Sequence, residues 1–76
     1  MKAYYSCHGT LYYKTFDKVV KAIEFMEYMK GECKVFPWCI TDGEGELEWF
    51  NDFFMEQEIN NQLRIIMKTA VEDRIC

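Results

Sequence analysis

Through residues 3–15, AYYSCHGTLYYKT, β-forming residues run in two short stretches broken once at His8-Gly9. A two-residue turn there sets Tyr5 opposite Tyr12 and Tyr4 opposite Tyr13, so that aromatic cross-strand pairs reinforce a hairpin. One long strand bulged at Gly9 is the competing reading. From Phe16 the period lengthens. Phe16, Val19, Val20, Ile23 and Met26 fall on one stripe when each residue advances by ~100°, which predicts a helix over 16–30 with that stripe facing the core. Thr15 is its expected N-cap, Asp17 sits in the first turn and Gly31 ends it. Phe25 and Tyr28 fall off the stripe, on the far side near Lys18 and Lys21.

The segment CKVFPWCIT (33–41) has the apolar, β-branched character of a strand, with Pro37 marking an edge or a bulge because it lacks a ladder donor. Asp42-Gly43-Glu44-Gly45 is a turn, and ELEWF then resumes as a strand with Leu47 and Trp49 on one face and Glu46 and Glu48 on the other. Asn51 or Asp52 caps a last helix whose stripe is Met55, Ile59, Leu63, Ile66 and Ala70, running to about Asp73. Met67, Val71 and Ile75 make a second stripe beside it; Ile65 lies off both. The order ββαββα with short connections predicts one α+β domain over 1–76, an antiparallel sheet of three to four strands with two helices packed on one face.

Composition narrows the function. Half of the residues are hydrophobic and 17% are aromatic, too apolar for a disordered chain. Seventy-six residues form one small domain, able to bury only ~60% of the surface of its unfolded chain. No apolar run approaches the ~20 residues of a membrane span, and the first ten residues lack the apolar stretch of a secretory signal, so the expected compartment is the cytoplasm with free thiols. A net charge of −4 disfavours direct nucleic-acid binding.

Four cysteines and one histidine suggest an alternative, a small zinc-binding module using Cys7, Cys33 and Cys39, with His8 beside them. The spacing lacks the C-x2-C pairs of structural zinc sites, and Cys7 and His8 are neighbours, which in a strand point apart. Catalysis has little to work with, since His8 is the sole histidine and no phosphate-cradling glycine loop is present. The expectation is therefore a non-enzymatic chain without cofactor.

Charge is distributed unevenly. Residues 37–76 carry a net −6 and residues 1–36 a net +2, and between Asp42 and Glu58 there are seven acids and no base. The same stretch holds Leu47, Trp49, Phe50, Phe53, Phe54 and Met55. On a regular strand Glu44, Glu46 and Glu48 share a face at ~6.7 Å spacing, a suitable scale beside duplex phosphates, which lie ~3.4 Å apart along the axis and further apart along their winding path. The pattern predicts a nucleic-acid-mimicking surface that docks on the basic, nucleic-acid-handling face of another protein, with Glu44, Glu46, Glu48, Trp49, Asp52, Phe53 and Glu56 as its anchors. Such a chain suits an inhibitor or modulator of the kind viruses and mobile elements use in counter-defence. A homo-oligomeric module that buries Met67, Val71 and Ile75 in a self-complementary patch is the other alternative.

Overall fold

Two aromatic pairs set the first hairpin of the computed structural model, which describes residues 1–31 and 34–73. Strands β1 (Lys2–Cys7) and β2 (Thr10–Thr15) pair antiparallel in the expected register, Tyr4 with Tyr13 and Tyr5 with Tyr12. The ring centroids lie 6.0 and 6.1 Å apart. His8 and Gly9 both have positive φ, 52° and 82°, the backbone of a tight turn whose twist matches that of the flanking strands. The bulged single strand is thereby excluded.

Helix α1 (Val19–Met29) follows, then β3 (Val35–Thr41), β4 (Leu47–Phe50), α2 (Glu56–Thr69) and a two-residue strand β5 (Val71–Glu72). The sheet order is β4-β3-β1-β2-β5. β5 runs parallel to β2, so the sheet has five strands and is mixed, whereas three or four antiparallel strands were expected. The chain is α+β, but the last helix stops at Thr69 rather than near Asp73. Ala70 is already extended, and the tail is held by the Asp73 N–H donating to the Tyr13 carbonyl at 2.9 Å and by the Tyr5 phenol donating to the Asp73 carboxylate. These partners are distant in sequence, which is why helical periodicity alone could not show the break. Val71 is therefore an exposed edge residue and no part of a helical stripe.

The two helices cover opposite faces of the sheet, correcting the expected placement on one face. Alternation along β1 sends Ala3 and Tyr5 toward Ala22 and Met26 of α1, and sends Tyr4 toward Ile59 and Ile66 of α2. The connections make this possible. α2 must carry the chain from the β4 edge to the β5 edge; its 14 residues span ~20 Å, close to the ~19 Å across four inter-strand gaps.

Several local expectations shift with this arrangement. Thr15 pairs with Lys2 as the last residue of β2, so α1 starts after Lys18 and not after a threonine cap. The line facing the core is Ala22 and Met26 with Ile23 and Phe25 beside it, while Val20 is exposed. Ala22 lets the helix approach the sheet closely, and Phe25 packs edge-on against Tyr5 at 5.3 Å instead of facing solvent. Tyr28 is exposed as expected. Of the α2 stripe, Ile59 and Ile66 are buried and Leu63 and Ala70 are half-buried, whereas Met55 stands at the N-cap position and is exposed. Ile65 is also exposed. Cys33 and Ile75 lie outside the described residues.

Candidate partner-binding site

The acidic turn is built around one of its own carboxylates. Asp42 Oδ1 accepts the backbone N–H groups of Glu44 at 2.8 Å and Glu46 at 2.9 Å, and Gly45 closes the turn with φ 84°. Glu44 and Glu46 consequently project from a loop, exposed, and not from a strand. Glu48 lies in β4, but at a register shift: Ile40 pairs with Trp49 and Thr41 with Leu47, leaving Glu48 as the extra residue. The bulge also puts Leu47 in the core beneath α2 and Trp49 in the core beneath α1, so these two do not share a face. The regular row of three carboxylates is therefore not formed.

The remaining predicted residues divide between the edge strand and the loop after it. Trp49 is half-buried, with Lys30 Nζ 5.6 Å from its ring centroid. Glu56 and Glu48 line a shallow depression of about 390 Å³ with Leu47, Trp49 and Phe50 along the free edge of β4. Asp52 pairs with Lys30 at 3.4 Å, but its side chain is 90% exposed, so the pair adds no more than about 1 kcal/mol. Phe53 is 76% exposed.

What holds Phe53 outward is Asn51, the residue expected to cap the last helix. It is 5% exposed and bonded through backbone and side chain: its backbone N–H donates to the Trp38 carbonyl at 3.0 Å, its Nδ2 donates to the Pro37 carbonyl at 2.9 Å, and its Oδ1 accepts the Phe53 N–H at 3.1 Å. Its carbonyl accepts the Phe54 N–H at 3.0 Å. The helix is capped later, where Glu58 Oε1 accepts the Met55 N–H at 2.9 Å. Two consecutive phenylalanines are thus fixed on a short loop between a buried pin and a helix start.

Four rings meet at this loop. Phe36 packs edge-on against Trp38, Phe53 and Phe54 at 5.6, 5.5 and 5.6 Å, and Trp38 stacks on Phe54 at 5.0 Å and 25°. Phe36, Trp38 and Phe54 are half-buried and Phe53 is the outermost ring. Sequence reasoning chose Phe53 but missed Phe36, Trp38 and Phe54. The signal was present as the F-P-W alternation in β3, with Pro37 between two rings on one face; its counterpart in the Phe53-Phe54 pair is fifteen or more residues away and only the fold joins them.

Cys7 and Cys39 do not converge. Cys39 opposes Tyr4 in the core beneath α2, while Cys7 opposes Val35, which packs on the α1 side. Burial pushes the Cys39 thiol up to about 12. No group of three metal-ligating side chains occurs among the described residues, and Cys33 lies outside them. No protein-family model, curated protein or solved structure matches the chain, so its own residues carry the functional argument. Among the described residues no helix is long and apolar enough to cross a membrane.

Proposed function

We propose that this chain is a non-enzymatic protein-binding module that docks through segment 51–58, the loop and first turn of α2, together with the Phe36 and Trp38 rings beneath it, onto a positively charged protein surface, acting as an inhibitor or modulator of a nucleic-acid-handling partner. The observation that carries this reading is Phe53. A large ring left mostly in solvent, on a loop that a buried asparagine holds in place, is an anchor whose ordering cost has been met before binding. Asp52 precedes it in the chain and Glu56 and Glu58 follow it, so rings supply affinity and carboxylates supply steering and register. The spacing of phosphates plays no part, since Glu44 and Glu46 sit in the turn at the other end of β4.

The test is capture of partners from the native host at two ionic strengths, with each partner identified by mass spectrometry. The expected result is a protein with a basic surface, retained at low salt and weakened as the screening length contracts below ~10 Å. Phe53→Ser and Glu56→Lys abolish capture, while Glu44→Lys with Glu46→Lys leaves most of it. Equal capture by all variants places the docking face elsewhere and refutes the proposal.

A further inference from the structure

Between the stacked Trp38 and Phe54 rings and the first turns of α2 lies a slot of about 340 Å³, lined by Trp38, Phe54, Glu58, Asn61 and Gln62. Three of its five lining residues are held by bonds within the chain. The Trp38 indole N–H donates to Ser6 Oγ at 3.3 Å, Phe54 is tied to Asn51 through its backbone, and the Glu58 carboxylate is oriented by the Met55 N–H that it accepts. Among the described residues no lysine or arginine forms an ion pair with Glu58.

Rings, one carboxylate and two side-chain amides make a selective set. A guanidinium is planar, stacks on aromatic faces, donates up to five N–H bonds and is weakly hydrated, so it meets all three kinds of wall. An ammonium is a compact, strongly hydrated point charge that gains less from the rings. A neutral apolar side chain would leave the carboxylate and the amides without return for their lost water. We infer that the slot receives an arginine side chain of the basic partner, its guanidinium against the rings, paired with Glu58 and donating to the amide oxygens of Asn61 and Gln62. This rests on the reading of segment 51–58 as a docking face and names the residue type that face selects.

The experiment titrates the isotope-labelled full chain with N-acetyl-arginine amide and follows the indole and side-chain amide signals by NMR, with the lysine and citrulline counterparts as controls. The Trp38 indole and the Asn61 and Gln62 amides move together and saturate with the arginine probe, while the citrulline probe leaves them in place and the lysine probe binds several-fold more weakly. Glu58→Gln, which keeps an acceptor for the Met55 N–H, weakens the arginine probe about tenfold by removing the charge. Shifts of equal size with citrulline, or shifts spread over the Asp42 turn and not localised at Trp38, overturn the inference without recourse to any variant. The probe needs no partner. A positive titration with failed capture removes the docking function and leaves the slot, whereas a silent titration with Phe53-dependent capture removes the slot and leaves the docking face.

Discussion

Asn51→Ala is the change on which the candidate site depends most. The side chain makes two hydrogen bonds from a position that is 5% exposed, one to the Pro37 carbonyl and one from the Phe53 N–H. Losing the first strands a buried carbonyl, which costs about 1–3 kcal/mol. Losing the second costs less, roughly 0.5–1.5 kcal/mol, because the Phe53 amide is only partly buried and water can replace the acceptor. The sum is roughly 1.5–4.5 kcal/mol from a domain whose whole stability is about 5–15 kcal/mol. Asn51→Asp should be at least as damaging, since it keeps an acceptor for Phe53 but sets a carboxylate oxygen against the Pro37 carbonyl in a dry site. Urea unfolding of the three proteins, with amide exchange at Phe53 and Phe54, measures both the energy and the loop order. A loss below about 1 kcal/mol for Asn51→Ala, with protection of both amides unchanged, would falsify the view that this residue pins the aromatic loop.

Ile59→Ala, at a fully buried site on the inner face of α2, should cost about 2–5 kcal/mol by thermal or denaturant unfolding, whereas Phe53→Ser should move stability by less than about 1 kcal/mol because its ring is mostly hydrated already. Gly9→Ala should cost roughly 1–2 kcal/mol through its positive φ alone, as a Cβ there meets nothing within 4 Å, and Gly43→Ala, equally open but without positive φ, should be neutral or slightly stabilising in the same melts. Burial raises the Cys39 thiol to about 12 and also raises the Tyr4 phenol, against a smaller opposing effect of its hydrogen bond to Thr41. Both groups must stay protonated in the folded chain, so their contribution is complete below the unfolded thiol value of ~8.5 and is lost as pH climbs toward about 12. Urea midpoints that stay flat between pH 8 and 11 would contradict this, as would alkylation of Cys39 in the folded protein at the rate of an exposed thiol.

The parts of the fold that were legible in the sequence are those decided within a few residues. The His8-Gly9 turn needs two positive φ angles, and that requirement fixes the tyrosine register without reference to the rest of the chain. The α2 stripe was legible because Ile59, Leu63 and Ile66 repeat at helical spacing on an otherwise polar segment. The ends of both helices were not. Thr15 looks like a cap, but its backbone is more useful to the sheet opposite Lys2; Ala70 looks like helix, but Tyr13 and Tyr5 offer Asp73 partners that only the folded hairpin creates.

The candidate site was half legible for a related reason: a strand with an extra residue no longer obeys period two. In β3 the shift between Tyr4 and Tyr5 lets Phe36, Trp38 and Cys39 all serve the α2 side while Val35 and Ile40 serve the α1 side. Pro37 foretold some irregularity there, since it cannot donate to the ladder, but not which residues would change sides. In β4 the extra Glu48 separates Leu47 from Trp49, and nothing in ELEWF marks it. The two bulges together move the site. A regular β4 would present three glutamates in a row and hide its aromatics; the Asp42 turn and the bulge at Glu48 disperse the carboxylates, and the bulged pair of strands draws Trp49 under Lys30 and leaves Phe36 and Trp38 as the platform on which Phe53 and Phe54 rest. The centre of the proposed docking face therefore lies at the ring cluster, with the acidic turn at its periphery, and charge reversal near Phe53 should matter more than the same reversal at Glu44.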